Sequence, residues 1–143
     1  MLHGVDMTVD NNPFEAGLDR FVYLDSPGYV AAGPLRRLRD QGTPRVIVGF
    51  RMLERAIPRH GYAIYPGRQA DSSTRQSSDG GDPRRPAGVV TSGTHSPTLD
   101  ADIGMGYVDR ALASPGTGLE IDVRGRLAAA ETVPLPFYSR RRS

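Results

Sequence analysis

Residues 90–99 read VTSGTHSPTL, a run of hydroxyls around one imidazole. Ser92 and Ser96 flank His95, and Asp100 and Asp102 follow within a few positions. A serine activated by a histidine, itself oriented by a carboxylate, is the raw material of nucleophilic catalysis. Nothing in the spacing aims either aspartate at the ring, so the stretch is read instead as a strand ending at Gly93 and a polar turn. In that reading the hydroxyls satisfy backbone groups and Pro97 stops further pairing. Arg59 and His60 in IPRHGY (57–62) also look chemical, but Pro58 and Gly61 around them favour a turn. His3, His60 and His95 lie far apart without ligand spacing, so no metal site is expected.

Whole classes of chemistry are excluded by composition. The chain has no cysteine, so disulfides and thiolate metal sites are ruled out. All 18 basic residues are arginine, which removes lysine Schiff bases and the P-loop lysine. The net charge is only +2, part of it from Arg140, Arg141 and Arg142, so nucleic acid is not an expected partner. No apolar run is long enough to span a membrane, and no signal-type segment follows Met1. A cytoplasmic protein is expected. With 143 residues, one domain with a real core is the natural size class. The 17 glycines and 12 prolines favour many turns, and so short strands over a helical bundle.

The elements that must position these groups follow from the pattern. Residues 1–12 are polar, carry no period and read as a loose lead-in. FVYL (21–24) suits a short strand and SPG (26–28) a turn. GPLRRLRDQG predicts a helix over 34–41. Pro34 suits its first position, Leu35 and Leu38 share a face, Gly42 suits the cap, and Arg36 and Asp40 stand four apart as an ion pair. RVIVGFRM (45–52) is the clearest strand, and YAIY (62–65) is expected to pair with it as an antiparallel hairpin. Residues 67–87 have no large apolar side chain and are expected to form a mobile loop. GVVTSG (88–93) and IGMGYV, ending at Val108, are further strands; in the latter Ile103, Met105 and Tyr107 alternate with Gly104 and Gly106. DRALAS (109–114) makes one helical turn. LEIDV (119–123) places Leu119, Ile121 and Val123 on one face, and LAAAETVPL returns as its partner. Strands joined by turns predict a mainly β fold: a small antiparallel, Greek-key-like β-barrel with one or two short helices.

Several of these segments also carry a resemblance. NPFEAGL (12–18), VGF with IPRHGY, VTSGTHSPTL, IGMGYV, PGTGLEIDVRG and PFY (136–138) stand in the order and near the spacing of one family. They resemble the C-terminal region of the aminomethyltransferase of the glycine cleavage system, the T-protein, over roughly residues 3–138. The polar loop at 67–87 replaces a short family turn, and YVAAGPL (29–35) replaces the family's Phe-Ile-Gly-Arg-x-x-Leu.

The resemblance implies a division: residues 1–42 as the tail of a folate-binding domain, 43–138 as the C-terminal barrel, and 139–143 as a basic tail. It implies transfer of an aminomethyl group from a lipoyl carrier (H) protein to tetrahydrofolate, releasing ammonia. Family members are far longer, and the folate cavity and catalytic aspartate lie before the point matched by Met1. No catalytic residue is therefore assigned, and these residues are expected to be inactive alone, as a split-gene subunit, a truncated product or a remnant. A separately encoded N-terminal half and self-association through unpaired surface are expected. Tyr138 and Glu15 are the folate-binding candidates; packing of a terminal strand and a structural hydrogen bond near a glycine bend are their plainer roles. The alternatives are a non-catalytic protein- or RNA-binding barrel, and the C-terminal part of a related folate-dependent demethylating enzyme.

Overall fold

The computed structural model describes residues 1–26, 28–67 and 85–138. The expected loop therefore falls mostly, and the basic tail wholly, outside the described residues. Six strands form the body: β1 (Arg45–Met52), β2 (Ala63–Pro66), β3 (Gly88–Ser96), β4 (Ala101–Asp109), β5 (Gly118–Val123) and β6 (Arg126–Val133). They close in the order β1-β4-β3-β2-β5-β6, with every pairing antiparallel. Closure leaves no sheet edge to cover. One helix, α1 (Ala32–Gln41), and single 3₁₀ turns at Asp19–Phe21 and Arg110–Leu112 complete the described elements.

The mainly β, small antiparallel barrel read from the sequence is what forms. Its interior is filled by Phe50, Ile64, Val90, Val108, Leu119 and Ile121, with Ala128 and Ala130 as the small partners. Burying each large side chain contributes roughly 1.5–3 kcal/mol. Leu119 and Ile121 point inward as their alternation predicts, with Val123 half-buried. In β4 the alternation runs the other way round: Gly104 and Gly106 face the interior. A Cβ at Gly104 would lie 2.5 Å from the Phe50 ring, and one at Gly106 would lie 2.6 Å from the Val89 carbonyl oxygen. The glycines admit the large core side chains and the neighbouring backbone.

Other expectations are corrected. β1 and β2 do not form a hairpin: β1 pairs with β4 and β6, and β2 with β3 and β5. The connection between them is long enough to cross the barrel end, where Pro58 packs against Gly93 and Gly104. FVYL forms no strand. With the barrel already closed, no partner strand is free for it, and Phe21 and Tyr23 stay exposed. The helix starts at Ala32, two residues before Pro34, and buries none of its residues. Arg36 pairs with Asp25, not Asp40, and Asp40 lies beside Arg39. Gly42 takes a positive φ of 73°, but with ψ of 168° it is extended past the left-handed cap.

Residues 1–12 are not a loose lead-in. Asp6 is only 3% exposed, with its carboxylate taking the Leu2 N–H and the Thr91 hydroxyl.

Candidate functional site

The β3–β4 hairpin brings the opening motif together. β3 runs on to Ser96, three residues past the expected end, and the turn occupies residues 97–100. His95 then faces Asp102 directly across the pair. Their side chains meet: His95 Nδ1 lies 2.9 Å from Asp102 Oδ1. The other oxygen, Oδ2, accepts the Ala56 backbone N–H at 3.0 Å. The expectation that no aspartate orients the imidazole is thus corrected. Sequence spacing hid the partner because residues seven apart become neighbours only through hairpin register. The pair opens into a cleft of about 730 Å³ at the barrel end, lined also by Arg51, Arg55, Ile57 and Leu99. Among the described residues no serine lines it, and the Ser96 hydroxyl takes the Leu99 N–H, so none of them stands as the nucleophile of a triad.

Thr91 has a different role from the rest of the motif. β3 shifts register between Val90 and Ser92, and this bulge aims the Thr91 hydroxyl at Asp6 Oδ1, 2.6 Å away. The Tyr107 hydroxyl donates to the Asp6 carbonyl at 3.0 Å. Arg45 lies over the Tyr107 ring at 5.5 Å and reaches Glu15 at 3.5 Å. Asp6, Thr91, Tyr107, Arg45 and Glu15 so form one polar strut that pins residues 1–18 to the barrel wall. Burial, with the Glu15 carboxylate nearby, pushes the Tyr107 hydroxyl pKa up. Asp6 was missed because a lone acid in a polar segment has no periodic signal.

Burial raises the Asp6 pKa, but hydrogen bonds from Thr91, Ser92 and Leu2, with the terminal ammonium, outweigh it and hold it below the usual 3.8. A depressed carboxylate stabilises the fold fully above its unfolded pKa and loses that contribution as pH falls through the folded one. Asp6→Asn is therefore expected to lower the urea midpoint at pH 7 and to flatten its decline below about pH 4. A wild-type decline unchanged in the variant would remove Asp6 as its source.

The remaining sequence candidates are dispersed. Glu15 is buried, and its carboxylate is engaged by Arg45 and the Asn12 N–H. His60 Nδ1 lies 2.9 Å from the Thr91 carbonyl, while Arg59 is exposed in the turn. His3 is exposed in the N-terminal segment. Among the described residues no group of three or more His, Asp or Glu is placed to hold a metal. Tyr138 is 56% exposed at the end of the C-terminal segment. That segment crosses β1 at Gly49, where a Cβ would lie 2.7 Å from Leu135 and 3.0 Å from Phe137. Phe137 also borders a shallow hollow of about 180 Å³ with Ile103 and Met105, the outward side chains of β4. Gly49→Val is expected to lift Leu135 and Phe137 and release Tyr138, costing about 1–3 kcal/mol. A urea melt measures the cost; unchanged stability would refute the packing.

A comparison with known families settles the lineage. Residues 45–139 match the glycine cleavage T-protein C-terminal barrel domain. The chain belongs to this family. The aminomethyltransferase of Saccharopolyspora erythraea is 41% identical over 140 residues, 97% of this chain and 34% of the relative. That of Thermosynechococcus vestitus is 41% identical over 143 residues, all of this chain and 35% of the relative. The crystal structure of glycine cleavage system aminomethyltransferase T from Bartonella henselae superposes with a TM-score of 0.79 at 28% identity, over 96% of this chain and 35% of that one. The T-protein-like chain thus spans about a third of the length of these relatives. Among its described residues no helix is long and apolar enough to cross a membrane.

Proposed function

We propose that these 143 residues are the C-terminal part of a tetrahydrofolate-dependent aminomethyltransferase of glycine cleavage. The reaction moves an aminomethyl group from the lipoyl arm of a carrier protein to tetrahydrofolate and releases ammonia. Supporting this reading above all is the match to aminomethyltransferases along 97% of this chain. Residues 1–42 then belong with the folate-binding part and 43–138 form the barrel that buttresses it, in the cytoplasm.

Tetrahydrofolate supplies the amine nitrogen that accepts the one-carbon unit. The fit of this chain to it is partial. The hollow beside Phe137, about 180 Å³, is smaller than the roughly 300–1,000 Å³ of sites that enclose such ligands. Tyr138, with an exposed aromatic face, and Glu15, held by Arg45, are the folate-binding candidates this chain supplies. The rest of the cavity comes from residues preceding the matched third. By themselves these 143 residues therefore do not catalyse transfer.

A tetrahydrofolate titration of the 143 residues tests the fit. Binding weaker than about 1 mM is expected, equivalent to less than ~4 kcal/mol of affinity. Sub-millimolar binding would move the folate site into the barrel and overturn this division of labour.

A further inference from the structure

The cleft at the barrel end has bonding capacity that the fold leaves unspent among the described residues. His95 Nδ1 and both Asp102 oxygens are engaged, which in the neutral ring leaves Nε2 as an acceptor. The Asp100 carboxylate stands 4.0 Å from that Nε2, too far for a hydrogen bond, with its side chain 89% exposed. Asp100 holds a φ of +46°, so the turn itself presents this carboxylate beside the ring. A nitrogen about 2.8 Å from both acceptors would subtend an angle of about 90°, within reach of two N–H bonds of one ammonium.

Opposite charge lines the same cleft. Arg51 is paired with Glu131, and Glu54 with Arg126. Arg55 has no hydrogen bond or ion pair among the described residues, and its planar fork suits a carboxylate. Ile57 and Leu99 supply apolar wall. Among the described residues they make one unpaired cation, one unpaired acceptor pair and a short apolar surface. A divalent metal is disfavoured by Arg55 and by the single free carboxylate. A phosphate is disfavoured by Asp100 and Asp102.

We propose that this cleft binds a small zwitterion of the α-amino-acid class. The ammonium sits between His95 Nε2 and Asp100, and the carboxylate sits on Arg55. The cleft is open to solvent, so the affinity is in the millimolar range. The proposal stands apart from the transfer reaction, because it uses none of the groups assigned to folate.

The test is an NMR titration of the full 143-residue chain, following the imidazole signals. The chain has three histidines, and His95→Gln assigns the one at the cleft. The probes are L-alanine, methylammonium and acetate. Saturable shifts of the His95 signals are expected with L-alanine, at least about tenfold tighter than with either single-charge probe. Asp100→Asn and Arg55→Gln, both on exposed loops, are each expected to weaken alanine binding about tenfold or more with unchanged circular dichroism. Absence of saturation by about 100 mM alanine would overturn the proposal, as would equal binding of the single-charge probes or indifference to both substitutions.

Discussion

Phe50→Ala is expected to cost about 3–5 kcal/mol, a large share of the barrel's stability. Phe50 is fully buried, and its ring fills the space that Gly104 leaves open across the β1–β4 pair. Removing it strips dispersion contacts from both strands and leaves a cavity bounded by glycine, which has no side chain to collapse inward. Domains of this size have only about 5–15 kcal/mol of total stability. A urea melt followed by circular dichroism measures the effect. A loss under about 1 kcal/mol would mean that Phe50 is not the centre of the core. The reciprocal substitution Gly104→Ala is expected to couple with it: tolerated on the Phe50→Ala background, damaging alone.

The largest expected effect on activity comes from adding back the preceding two-thirds of a relative. General acid–base assistance by a positioned carboxylate alone contributes on the order of 10²–10⁴-fold. Fixing donor and acceptor in one cavity adds effective molarity worth up to ~7–11 kcal/mol. The proposed reaction needs both, and the two folate-binding candidates in this chain, Tyr138 and Glu15, supply neither. A mixture of this chain with the complementary N-terminal segment of the Saccharopolyspora erythraea enzyme is expected to exceed the sum of its parts by at least about 10³-fold. If the mixture only adds the rates of its parts, the barrel makes no contribution to the site.

What was legible in the sequence was local and periodic. β5 and β6 could be read because LEIDV and its return strand alternate around a tight RGR turn, and the observed register follows that turn. The glycines of IGMGYV were visible as a motif, but their inward direction was not. It depends on Phe50 and Val89 arriving from strands far along the chain. FVYL misled because β propensity says nothing about whether a partner strand exists. The same limit applied to function. VTSGTHSPTL stood out chemically, yet its two real partnerships join residues by register and by long-range contact. His95 meets Asp102 across a hairpin, and Thr91 meets Asp6 from the far end of the chain. The first becomes visible only once the turn is placed at 97–100, which makes His95 and Asp102 equidistant from its centre. The second was not, because no local pattern marks Asp6.

The central claim, that these residues are the barrel part of a folate-dependent aminomethyl transfer and not its catalytic part, is tested most directly by one product. Methylene-tetrahydrofolate is followed after the chain is mixed with aminomethyl-loaded lipoyl carrier protein and tetrahydrofolate, with and without the complementary N-terminal segment. Product is expected at the uncatalysed rate for the chain alone and rapidly once the segment is supplied. Catalysed product from the 143 residues alone, or none even with the segment present, would contradict it.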